Sequence, residues 1–171
     1  MARGRERSVR VLRMILVVPS TLAAMVLLAP PAAAAPQARA YVHGIEYAAT
    51  ATEGRFGGAA EGDVQGGWLA TVAHDPLAPG ETVPITDGFF RLYSHRTMTG
   101  TFVGGSVAPL STPETCLNER FKVTGTLKLD DGGDGSFRVV LTHLRASTKD
   151  GCRTYGATVA GTVTVPSNAA T

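Results

Sequence analysis

The stretch FKVTGTLKLDDGGDGSFRVVLTHLR, Phe121–Arg145, holds two alternating segments separated by a run of Asp and Gly. In the first, Phe121, Val123, Leu127 and Leu129 fall on one face, and Lys122, Thr124, Thr126 and Lys128 on the other. Successive side chains of a strand point to opposite faces, so this period of two predicts a strand with one face buried and one in water. In the second segment, Ser136 to about Arg145, the residues Phe137, Val139, Leu141 and His143 share a face. The Asp and Gly residues between the segments favour a tight connection, which predicts antiparallel neighbours.

The pattern continues downstream. Tyr155, Ala157, Val159, Val163 and Val165 face one way, and Thr158, Thr162 and Thr164 the other. Three consecutive strands with short polar connections read as a meander. Upstream, residues 41–52, 68–74, 88–95 and 97–107 carry weaker strand signals, and no long helical period competes with them. Glycines inside the strands, Gly100, Gly125 and Gly161, predict the bends or bulges of a strongly curled sheet. The expected fold is all-β: a single small antiparallel β-barrel of seven or eight strands with a closing meander, with a two-sheet sandwich as the alternative. The Gly/Ala-rich residues 47–67 and the proline-bearing residues 75–86 read as loops.

The N-terminus is set apart from this domain. Arg3, Arg5, Arg7, Arg10 and Arg13 precede an apolar stretch from Met14 to Ala29, and Ala32–Ala35 follow. Positive charge, an apolar core and small residues in that order predict a secretory signal peptide, residues 1–34. A cut after Ala34 avoids placing Pro36 at the first mature position. Residues 35–40 are then a flexible mature N-terminus, 41–166 the barrel domain and 167–171 a disordered tail. Of 16 Lys+Arg and 14 Asp+Glu, five arginines and Glu6 belong to the leader, which leaves 11 basic against 13 acidic residues. The basic excess therefore belongs to the export signal. The remaining charges are scattered, which argues against a nucleic-acid surface. The expected location is extracellular, with no stable membrane span once the leader is cut.

The chain has two cysteines, Cys116 and Cys152. A strand from Phe121 to Leu129 runs away from Cys116, and the following strand returns, so the connection bearing Cys152 lies at the end of the sheet where Cys116 lies. An oxidising compartment would join them. Closing a loop of 36 residues (152 minus 116) contributes about 4 kcal/mol on the chain-entropy relation. A metal site would need more ligands, and no Cys-x-x-Cys or Cys/His cluster is present. No metal and no cofactor are expected from the pattern, apart from a weak calcium signal. In LDDGGDGSF, Asp130, Asp131 and Asp134 cluster, with Gly135 at the sixth position of an EF-hand-like loop. Gly132 and Leu141 then occupy the third and twelfth, where acidic ligands belong. The competing reading is a hairpin turn.

Four histidines, His43, His74, His95 and His143, are dispersed. His143 shares the inward face with Leu141, and the register brings it near Phe121 and Tyr155, with Arg145 continuing the face. His143, Tyr155 and Arg145 are the candidate polar groups of a pocket in an otherwise apolar barrel. DGFFRLYSHR, Asp87–Arg96, pairs aromatics with cations that could stack a ligand; the plainer reading is a strand with Phe90 and Leu92 buried and Arg91 and Tyr93 outside. There is no Gly-x-Ser-x-Gly, P-loop or His-Glu-x-x-His motif.

VTGTLKL (Val123–Leu129), GDGSFRVVLTH (Gly133–His143) and TYGATVAGTVTV (Thr154–Val165) together resemble the closing strands of calycin-like barrels, in particular the allene oxide cyclase and dirigent barrels. GGW, Gly66–Trp68, is similar to the Gly-x-Trp of lipocalin and avidin barrels, whose tryptophan plugs one end. The resemblance implies a barrel. It carries over no catalytic residue, and the cysteine pair departs from the plant cyclases. Three functional readings follow. The first is a non-catalytic secreted barrel that binds a small apolar ligand or an envelope or protein partner. The second is a cofactor-free isomerase or cyclase that shapes its substrate in an apolar interior. The third is a structural or inhibitory exported protein acting through its loops.

Overall fold

The computed structural model describes residues 36–111 and 116–167. Eight strands follow in chain order: β1 (Gln37–Ala49), β2 (Glu53–Gly62), β3 (Gly66–His74), β4 (Val83–Tyr93), β5 (Thr97–Pro109), β6 (Glu119–Leu129), β7 (Asp134–Thr148) and β8 (Gly151–Pro166). Each pairs antiparallel with the next, and β8 returns to β1 through pairs such as Ala40↔Val163. The architecture is a closed eight-stranded meander barrel rather than a sandwich. Closure leaves no strand edge unpaired, which a sheet of this length otherwise has to protect.

The strand directions define two ends. The β1–β2, β3–β4, β5–β6 and β7–β8 connections share one end with Cys116 and Cys152, called here the cysteine end. The first residues of β1 and the last of β8 meet at the far end, with the other three connections. The far half is filled. Phe137 is fully buried at its centre and its ring meets those of Trp68 at 6.1 Å, Phe90 at 6.0 Å and Phe102 at 5.4 Å. The tilted and edge-on geometries are those aromatic quadrupoles favour. The buried Trp68 indole Nε1–H donates to the His43 carbonyl at 3.2 Å, so its one polar group is satisfied. That carbonyl lies close against β2: a Cβ on Gly58 would sit 2.0 Å from it.

The alternation in β6 and β7 matches burial residue by residue. Phe121, Val123, Leu127, Leu129, Phe137, Val139 and Leu141 are all core residues. Phe90 and Leu92 are buried while Arg91 and Tyr93 point out, with the Arg91 guanidinium 5.9 Å from the Tyr93 ring centre. The largest difference from the sequence reading lies in residues 47–67, expected as a loop. They contain β2, which pairs with both β1 and β3 and buries Phe56 and Ala60. Its inward positions are otherwise small because the strands converge there, so hydropathy hides the period of two. Likewise β4 begins at Val83 inside the expected 75–86 loop, with Val83 and Ile85 buried.

Residues 35–40 were expected to be flexible, yet β1 starts at Gln37 and buries Ala38 and Ala40 against β8. Ser167 N–H still donates to the Pro36 carbonyl at 2.8 Å. The expected leader and residues 168–171 lie outside the described residues. Gly100, Gly125 and Gly161 mark close approach rather than bulges. A Cβ on Gly161 would fall 2.1 Å from the Arg138 carbonyl oxygen, whereas the register shifts occur at Glu46/Ala48, Ala73/His74, Phe102/Gly104 and Leu144/Arg145.

Candidate functional site

The cysteine half of the barrel is not filled by side chains. A cavity of about 280 Å³ opens there, just under the size range usual for small-molecule sites. Phe56, Val72, Val107, Val123 and Leu141 supply its apolar walls, each from the inward face of its strand. Leu77, in the β3–β4 connection, packs against the core at the rim. Leu77 and Phe121 also wall a second cavity of about 270 Å³ beneath that connection. A larger depression, about 560 Å³, lies on the outer surface around Arg55, Asp87 and Phe89. It has no inward-facing apolar wall, so the barrel mouth is the better candidate despite its smaller volume.

The polar groups of the mouth centre on His143. Its Nε2–H donates to Glu46 Oε2 at 3.0 Å, its ring stands edge-on to Phe121 at 5.3 Å, and its Nδ1 faces Glu119 Oε2 at 3.9 Å, beyond hydrogen-bond reach. The side chain of Glu46 is only 9% exposed and that of His143 23%. Glu46 reaches this place because β1 carries it inward in phase with Ala40 and Val42, just before the register shift at Glu46/Ala48. Gly54 on β2 leaves room for it: a Cβ there would fall 2.7 Å from Glu46 Oε1. His74 also lines the mouth and pairs through Nδ1 with the Asp75 carbonyl at 2.7 Å. Glu53 lines it too but is tied to Arg55 Nε at 2.7 Å. The Glu53 carboxylate, first through that hydrogen bond and then through its charge, raises the Arg55 pKa above the ordinary guanidinium value.

Of the three residues expected to form the polar floor, only His143 does so. Tyr155 is 70% exposed. The register explains this: Leu144 pairs with Gly156 and Arg145 with Thr154, so Tyr155 is the extra residue of a β-bulge and loses the inward phase of Ala157 and Val159. Arg145 lies past the same shift and away from the cavity wall; its backbone N–H donates to Asn118 Oδ1 at 3.2 Å. Glu46 was missed because a single glutamate among exposed residues looks like surface. Its signal was parity, since it continues the inward series of β1.

Asp130, Asp131 and Asp134 sit in the β6–β7 turn and do not converge. Asp130 Oδ2 accepts from the Thr99 hydroxyl, and Asp134 pairs with Lys128 at 2.9 Å. Among the described residues no group of three or more His, Cys, Asp or Glu is arranged to hold a metal. The turn reading accounts for the stretch: Gly132, at φ +96°, donates its N–H to the Leu129 carbonyl at 3.0 Å. His43 points outward on β1, and His95 lies in the β4–β5 turn.

Cys116 and Cys152 stand at disulfide distance, with Cα atoms 5.3 Å apart. Cys152 belongs to β8 rather than to a loop, opposite Ser147 in the hairpin that turns at Thr148–Gly151. This pair links the β5–β6 connection to the β7–β8 hairpin beside the mouth. Compared with protein-family models, with curated proteins and with solved structures, the chain matches none of them.

Proposed function

We propose that this chain is an exported, disulfide-stabilised binding barrel of calycin-like type that takes a small, mostly apolar molecule into its cysteine end. The observation that carries the reading is the apolar cavity of about 280 Å³ inside one end of a closed barrel whose other end is packed solid. Such a cavity holds a ligand by burying its apolar surface, at about 25 cal/mol per Å², while one or two polar groups orient it. Native mass spectrometry of protein purified from its own culture medium tests this: a retained small molecule, lost on organic extraction, is the expected result. Protein that carries none and binds no apolar fluorophore refutes it.

The His143–Glu46 pair favours a second reading, a cofactor-free isomerase or cyclase. An imidazole oriented by a carboxylate at the rim of an apolar cavity has the arrangement of a general base. His143→Ala separates the two readings. It abolishes turnover in an enzyme, and in a carrier it only weakens binding.

A further inference from the structure

One polar atom of the mouth faces the cavity. Glu46 Oε2 is satisfied by His143, but among the described residues nothing donates to Oε1. This oxygen belongs to a side chain more than nine-tenths buried, beside the apolar wall of Phe56, Val72 and Leu141. Among the described residues no buried side-chain oxygen is left without a partner, so Oε1 is not sealed from water but opens into the cavity. The space in front of Oε1 is kept clear by Gly54, where a Cβ would come within 2.7 Å. Among the described residues no Lys or Arg lines the cavity, and a second carboxylate, Glu119, faces His143 Nδ1 at 3.9 Å.

We infer that the molecule bound at this mouth is an apolar amine, whose ammonium group donates to Glu46 Oε1 while its hydrocarbon body fills the cavity. The inference rests on the binding-barrel reading above and gives its ligand a chemical class. An anionic head group would meet the Glu46 carboxylate and, among the described residues, no Lys or Arg. A neutral hydroxyl can donate to the same oxygen but brings no charge to the carboxylate. An ammonium brings both, and charge-assisted hydrogen bonds are about twice as strong as neutral ones. The imidazole is committed to Oε2 through Nε2, so it holds the carboxylate in place rather than competing for the ligand.

The test uses the full barrel domain and four probes with one ring system: 1-naphthylmethylamine, 1-naphthalenemethanol, 1-methylnaphthalene and 1-naphthoate, titrated by calorimetry. The amine is expected to bind about tenfold or more tighter than the alcohol, with naphthoate weakest. Glu46→Gln keeps the volume and removes the charge. It should erase the advantage of the amine and leave methylnaphthalene affinity within about twofold, which also reports that the variant is folded. Methylnaphthalene or naphthoate binding as tightly as the amine overturns the amine assignment and leaves the binding barrel standing. So does an amine advantage that survives Glu46→Gln. Failure of all four probes overturns both readings. Should the variant not fold, the ranking of head groups on the unaltered protein decides alone.

Discussion

Replacing both cysteines by serine tests the physical account of this fold most directly. The pair closes a loop of 36 residues and ties the β5–β6 connection to the longest hairpin of the barrel. A crosslink acts chiefly on the unfolded chain, where closing a loop of that length removes about 4 kcal/mol worth of conformational freedom. The folded state should change little. The hairpin keeps its own ladder, including Ser147↔Cys152, its turn bond from the Thr148 hydroxyl to the Gly151 carbonyl at 2.7 Å, and the Arg145 N–H to Asn118 bond. A domain of this size unfolds with an entropy of roughly 0.3 kcal/mol/K, so the loss corresponds to a fall in Tm of about 14 °C. Urea unfolding of Cys116→Ser/Cys152→Ser beside the parent, both without reductant, should show the midpoint falling and the slope rising, because the open chain exposes more surface. Near-ultraviolet circular dichroism of the folded forms should coincide. A difference below about 1 kcal/mol would refute the reasoning. So would alkylation of two thiols in the parent before reduction.

Other perturbations follow from the interior. Phe137→Ala removes the ring on which Trp68, Phe90 and Phe102 converge, and should cost about 3–5 kcal/mol by chemical denaturation. Gly58→Ala places a Cβ 2.0 Å from the His43 carbonyl and should cost about 1–3 kcal/mol or more, by forcing β1 from β2 and disturbing the Trp68 bond. Its control is Gly67→Ala, where the nearest atom is 3.8 Å away, and which should be close to neutral in the same assay. Calcium or a chelator should move the Tm by less than about 1 °C, since Asp130 and Asp134 are already taken by Thr99 and Lys128. A shift of several degrees would restore the calcium reading of the β6–β7 turn.

Local periodicity governs the part of the molecule that can be read along the chain. The alternation of Phe121–Leu129 and Phe137–Leu141 fixed which face is buried, because a strand offers only two faces and only one can leave water. Direction alone, two strands out and back, placed Cys116 and Cys152 at one end. The short polar breaks fixed the meander. Where side chains are small the periodic signal vanishes, so β2, built from Gly and Ala around Phe56, was legible only from its neighbours β1 and β3. The tertiary structure also decided the register shifts. The extra residue near Leu144/Arg145 turned Tyr155 outward, and no count along one strand reveals a bulge defined by its partner. The mouth was decided in the same way. Glu46 and His143 lie 97 residues apart and meet only because closing the barrel brings β1 round beside β8, one strand away from β7. A pair made by curvature and closure leaves no trace in spacing, and so the His143–Glu46 contact became visible only in three dimensions.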